Sequence, residues 1–328
     1  MNDIYLKHYK WKKKEKNIFY NSCKNILNMH ECQIFQPYFS LFFNIHNTKN
    51  SHKIIDINRN LFVYEILSIK SEKYYTSNTI LECKVFNQQK NHIYSQELFC
   101  KCIPLLDPIF SMKNNYNNFI KRNPLLPSSF NYNTFNKINN IDNSAYIDSF
   151  FSFICSEITS NDINPSFPLF YGSVNGLKDN FKYDISDDHS TFKNEYWFHK
   201  YLGENYTLDR YVSDDSSDDE EDDSDESSDD KSISSNSSLF SYEKEDDYIV
   251  LLKNMPCQLF FIEKLDGTLE DLLDENVNQE IILSCIFQIS FALHYLQKHF
   301  KFSHNDLHIN NIMFTKTDKD YLYYKLNN

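Results

Sequence analysis

Apolar and β-favouring residues gather in short runs over much of the chain. Thr79 to Phe86 (TILECKVF) and Ile93 to Leu106 (IYSQELFCKCIPLL) read as two strands joined by the polar turn Asn87 to His92. Pro168 to Val174 (PLFYGSV) and Cys257 to Glu263 (CQLFFIE) read as further strands, the latter introduced by Pro256 and broken at Leu265-Asp266-Gly267. The period becomes helical over Asp142 to Thr159, with Ile147, Phe150, Phe151, Ile154 and Ile158 on one face. It is helical again over Gln279 to Lys298, where Ile282, Cys285, Ile286, Ile289, Leu293 and Leu296 predict a long amphipathic helix packed on a core. Thr268 with Asp271 forms a capping-box start for the short helix TLEDLL. Strands that give way to helices predict an α+β fold.

Composition narrows the class. At 328 residues, 41% of them hydrophobic and including 23 Tyr and 28 Phe, the chain can bury one large core or two lobes. The run Asp214 to Asp230 consists of 12 acidic residues and 5 Ser, and without those acids the net charge of −13 becomes −1. Overall charge therefore gives no nucleic-acid-binding face, and the tract (213–238) reads as a solvated, disordered insert that a basic partner could recognise. A second insert, 111–140, is rich in Asn, and 177–247 encloses the acidic tract; neither is expected to fold throughout. Lys10, Lys12, Lys13, Lys14 and Lys16 around Trp11 read as part of a solvated, partly disordered terminus. The 8 Cys lack CxxC or zinc spacing and read as reduced thiols. No leader pattern and no run of about 18 apolar residues is seen, so a soluble intracellular protein is expected.

Chemistry concentrates in Ser303 to Phe314 (SHNDLHINNIMF). His304, Asp306 and Asn311 stand at fixed offsets ahead of the apolar Ile312-Met313-Phe314, the layout of a protein-kinase catalytic loop. Phosphoryl transfer needs a carboxylate to accept the substrate hydroxyl proton and an amide oxygen to hold magnesium beside the phosphates. Asp306 and Asn311 supply that pair, with His304 bracing the loop and His308 completing its Asp-Leu-His form. Together with Lys101-Cys-Ile-Pro-Leu-Leu-Asp-Pro and FIEKLDGTLEDLL, the chain resembles eukaryotic-type serine/threonine protein kinases. It looks closest to haspin-like kinases and to those of large nucleocytoplasmic DNA viruses.

The resemblance implies a two-lobed fold: 1–78 as an N-terminal extension, 79–262 as a β-rich small lobe with the two inserts, and 263–328 as a hinge and the beginning of a helical lobe. It implies ATP and Mg2+ as cofactors and a protein Ser/Thr hydroxyl as substrate. Lys101 would grip the α/β-phosphates, paired with Glu157 or with the competing Asp148. Glu263 and Leu265 would line the hinge, Ile262 the rear of the nucleotide pocket, and Asn311 would hold the metal. Three departures stand out. No Gly precedes Gly172, Asn305 replaces the usual Arg, and no Asp-Phe-Gly follows, so the chain reads as a kinase cut off inside its large lobe and inactive alone. Asp320 is the one late Asp with an aromatic neighbour. A pseudokinase or interaction module, and a small-molecule kinase of the choline or aminoglycoside type, remain alternatives.

Overall fold

The computed structural model describes residues 5–7, 9–34, 36–37, 54–116, 125–128, 135–212, 246–275 and 277–325. A short parallel strand pair, Tyr5–Lys7 with Ile54–Asp56, stands apart; the elements that build the main body are, in chain order, helix α1 (Lys13–Leu27), strand β1 (Met29–Gln33), strand β2 (Leu61–Glu72), strand β3 (Thr79–Asn87) and strand β4 (His92–Pro104). Helix α2 (Ser144–Ser160), β5 (Phe170–Lys178), β6 (Phe181–Asp184), β7 (Tyr206–Tyr211), β8 (Asp247–Leu252) and β9 (Met255–Glu263) follow. The last part holds β10 (Gly267–Thr268), α3 (Leu269–Asp274), α4 (Gln279–Phe300) and β11 (Met313–Phe314).

Six strands form one curled antiparallel sheet in the order β1-β5-β9-β4-β3-β2. Alternation explains its two faces. Leu81, Cys83 and Val85 of β3 and Leu98, Cys100 and Cys102 of β4 turn into the main core, while Phe99, Lys101 and Ile103 take the other face. Burial pushes the Cys83 thiol up to about 12 and Cys100 well above its ordinary value, so these thiols stay protonated. All eight cysteines are free. Left-handed turn positions fall to Asn in this glycine-poor chain: Asn28 (φ 51°), Asn91 (47°), Asn180 (54°) and Asn254 (50°). Its short amide can bond nearby backbone and so tolerates that conformation.

The fold is mixed α+β, and its sheet begins well before Thr79. Strand β2 pairs with β3 along its whole length. Helix α1 lies against β2 through Phe19, Cys23 and Leu27, and the buried Ser22 hydroxyl accepts from the Ile66 amide at 3.0 Å. Residues expected to be a separate extension are thus part of the core. The basic cluster, expected in a solvated, partly disordered terminus, is solvated but ordered: Lys10, Lys12, Lys13 and Lys14 are exposed at the start of α1, where Trp11 stacks on Phe19 at 5.7 Å.

Both inserts are partly folded as well. Met112, Tyr116, Leu126 and Ile138 are buried in the 111–140 region. Strands β6, β8 and β7 form a second antiparallel sheet with β8 in the middle, so the ends of the 177–247 region are ordered. The acidic tract itself lies outside the described residues.

Helix α4 forms as expected, but its packing does not. Among the described residues of α4 only Leu296 is buried, while Leu283, Ile286 and Phe287 are each more than half exposed. Length and composition alone would let α4 cross a membrane, although Gln, Ser and His residues interrupt it and it is not a continuous apolar run. Core helices of soluble proteins reach the same values.

Candidate active site

Lys101 owes its direction to the alternation of β4, and its partner to the way α2 is tied down. Asn143 caps α2, its Oδ1 accepting from the Ala145 amide at 3.2 Å, while its Nδ2 donates to the carbonyls of Leu105 (2.9 Å) and Lys137 (3.1 Å). The start of α2 is thereby fastened to the end of β4, and its first turns meet the Lys101 face. Lys101 Nζ donates to Asp148 Oδ2 at 2.5 Å and lies 5.7 Å from the Phe260 ring centroid on the neighbouring strand. Asp148, not Glu157, is the partner. Glu157 is nine residues further along the helix, which puts it half a turn out of phase and about 13 Å along the axis.

The side chains of this pair are 39% and 36% exposed, so its own contribution to stability is roughly 0–1 kcal/mol. Its consequence is positional: it aims the ammonium group. Beside it, Ile80, Phe99 and Ile262 stand in one cross-strand row, all half-buried, and form an apolar surface on the Lys101 face.

The connection after β9 is clamped twice. Glu263 spends its side chain on the entrance to β5, accepting from the Leu169 amide at 3.2 Å while its own N–H donates to the Leu169 carbonyl. Its carboxylate therefore faces protein backbone, and Leu265 beside it is half-buried. Lys264 pairs with Glu97 at 2.8 Å, which raises the lysine pKa and lowers that of the carboxyl. Asp266 Oδ2 accepts from the Lys316 amide (2.7 Å) and the Thr315 hydroxyl (3.1 Å), bonds that hold its carboxyl below the usual range. Gly267 and Thr268 pair with Phe314 and Met313, and a Cβ on Gly267 would sit 3.0 Å from the Phe314 ring. The expected capping box is formed: Thr268 N–H donates to Asp271 Oδ2 at 2.7 Å, and Thr268 Oγ1 accepts from the Asp271 amide at 3.2 Å.

The Ser303–Phe314 loop is thus fastened at its C-terminal end. At its N-terminal end Phe302 stacks on Phe151 of α2, with ring centroids 4.8 Å apart and 11° between planes, and the His304 ring meets Phe302 edge-on at 6.0 Å. His304 Nδ1 is buried without a hydrogen-bond partner. Asn311 Nδ2 donates to both the backbone carbonyl and the Oδ2 of Asp306 at 2.9 Å, so one amide ties the backbone and the carboxylate of Asp306 together. His308 Nδ1 accepts from the Asn310 amide at 3.3 Å. Its Nε2 lies 2.9 Å from Asn311 Nδ2 and 3.9 Å from Asp306 Oδ1. The Asp306 side chain is 77% exposed.

Lys101 and Asp306 do not touch; α2 links them. Asp148 holds Lys101, and Phe151, three residues later, carries the stack that leads through Phe302 to the Ser303–Phe314 loop. Asp320 is elsewhere, in a groove with Thr159, Asp162 and Pro165. Lys325 N–H bonds the Ile163 carbonyl at 3.0 Å and Tyr324 packs on Phe291, which holds this segment against the far end of α2. Sequence reasoning missed Asn143, the Phe151–Phe302 stack and Asp266. Asn143 directly before an apolar helical pattern was a readable capping signal.

Among the described residues no group of three or more His, Cys, Asp or Glu could hold a metal. Asn311 Oδ1 and the Asp306 carboxylate fit magnesium only with further oxygens from a bound phosphate chain, which is how this ion is commonly held. No family model, curated protein or solved structure matches this chain.

Proposed function

We propose that this chain is built as the small lobe, hinge and catalytic loop of a protein-kinase-like, two-lobed fold, and that its activity is transfer of the γ-phosphoryl group of ATP to a protein Ser or Thr hydroxyl. The observation that carries the reading is Asn311 bonded to both the backbone and the carboxylate of Asp306. Two further features support it. Counting from β2, Lys101 is on the third strand, and its acidic partner is on the long helix that follows, as the kinase Lys–helix ion pair requires. The strand that leaves the sheet after Ile262 leads directly into the clamp on the catalytic loop.

Asp306 then accepts the hydroxyl proton as the substrate oxygen attacks, with Asn311 holding the carboxylate in place. Lys101, aimed by Asp148, contacts the α/β-phosphates, and the Ile80–Phe99–Ile262 row takes the base. Asn311 Oδ1, with the phosphate oxygens, would hold a magnesium ion, which would neutralise phosphate charge. In a context that includes a complete large lobe, Asp306→Asn removes proton acceptance without changing volume, so phosphate transfer to a Ser-containing basic protein should fall by about 10²–10⁴-fold. Undiminished transfer in that variant contradicts the assignment.

One observation favours a second reading. Among the described residues, Asp306 is the only carboxylate bonded to Asn311, which leaves the metal one anionic protein ligand. A nucleotide-binding pseudokinase that recruits partners would bind Mg–ATP and transfer nothing.

A further inference from the structure

The turn between β2 and β3, residues 73–78, contains no glycine and is held from two sides. From the second sheet, the Tyr74 ring packs on Tyr211 at 4.5 Å, and its hydroxyl donates to Asp247 on β8. Lys182 of β6 donates its amide to Ser77 Oγ at 2.8 Å and its ammonium to the Lys73 carbonyl at 3.1 Å, and pairs with Glu72 at 3.3 Å. From the main sheet, Asn78 Oδ1 accepts from the Cys102 amide at 2.9 Å, one residue beyond Lys101. Within the turn, Asn78 N–H bonds Thr76 Oγ1 at 3.2 Å. Ser77 is 7% exposed although it lies at the tip of a hairpin.

We propose that the inserted β6–β8–β7 sheet is a brace for this turn, making it a fixed wall on the phosphate side of the nucleotide site. Tyr74, Asp247, Ser77 and Lys182 are its positioning residues. The proposal rests on the kinase reading, which puts ATP phosphates beside Lys101, and it supplies what the missing glycines would. A glycine-rich loop reaches phosphates by backbone freedom and pays ordering entropy when it closes. A turn already ordered by a neighbouring sheet does not. Bonding across Asn78 to Cys102 also keeps the wall in register with Lys101, so the two act on one ligand.

The test uses Tyr74→Ala and Tyr74→Phe in the full chain. Tyr74 is 40% exposed, so neither change empties the core. Two readouts are taken: hydrogen–deuterium exchange at residues 73–78 without nucleotide, and Mg–ATP affinity by titration calorimetry. The expected result is faster exchange at the turn and about tenfold weaker ATP binding in Tyr74→Ala, a factor equivalent to about 1.4 kcal/mol, with Tyr74→Phe intermediate because it keeps the ring stack. Unchanged exchange means there is no brace. Faster exchange with unchanged ATP affinity in a chain that does bind ATP means the brace has no role toward nucleotide. Either result overturns the proposal alone, whereas a wild-type chain that binds no Mg–ATP overturns it together with the kinase reading.

Discussion

Replacing Lys101 with Ala is expected to weaken Mg–ATP binding by at least tenfold while moving the thermal unfolding midpoint by no more than about 4 °C. The two effects separate because they have different origins. The Lys101–Asp148 pair is more than a third exposed on both sides, so its loss costs roughly 0–1 kcal/mol of folding stability, which is a shift of at most about 4 °C in a large domain. A hydrogen bond to a charged group in a binding site contributes about 1.5–3 kcal/mol, and each 1.4 kcal/mol is a factor of ten in affinity. Asp148→Asn keeps the ammonium but loosens its aim, and should give a smaller loss of affinity with a similarly small thermal shift. Calorimetric titration and thermal unfolding of the three proteins check both halves. A large fall in unfolding midpoint with unchanged affinity would make Lys101 a structural residue.

The largest stability effect is expected at Phe261. It is 1% exposed on β9, and its ring meets Phe19 of α1 edge-on at 5.9 Å. It therefore joins the N-terminal helix to strand β9, and Phe261→Ala removes the contact from both sides. Truncating a buried Phe costs about 3–5 kcal/mol, a large share of a typical domain's stability. In urea the midpoint should fall steeply with an unchanged slope. Leu283→Ala is the control: at 57% exposed on α4 it should change stability by less than about 0.5 kcal/mol. A comparable loss at Leu283 would mean that α4 packs in solution, and a small loss at Phe261 would mean that the N-terminal helix does not pack on this core.

The parts of the fold read correctly from sequence are those whose signals are local. The strands at Thr79, Ile93 and Cys257 carry runs of β-favouring residues, and the Thr268–Asp271 box lies within a few residues. Strand β2 was missed because three register irregularities against β3, starting between Val63 and Glu65, break the alternation that would have marked it. The second sheet was missed because its strands β7 and β8 flank the acidic tract, whose composition dominates that stretch.

Helix α2 shows how phase depends on distant partners. Ile147 was expected inside yet is 52% exposed, while Tyr146 is fully buried with its hydroxyl donating to the Ile138 carbonyl at 2.8 Å. The Asn143 tether to Leu105 fixes that rotation, and with it the choice of Asp148 over Glu157. Neither bond is visible in the helical period. For α4 the period was right but says nothing about whether a partner covers the face it defines.

The central claim is that Lys101 and the Asp306–Asn311 loop serve one ATP site. Its most direct test is labelling of the purified chain with an ATP analogue acylated on its terminal phosphate. A lysine amine held beside the phosphates attacks the acyl carbonyl, forms an amide and releases ATP, and mass spectrometry of the digest identifies the lysine. The account predicts acylation concentrated on Lys101 among the exposed lysines, and its suppression by excess Mg–ATP. Labelling spread over surface lysines and indifferent to ATP, or labelling that leaves Lys101 unmodified, would contradict it.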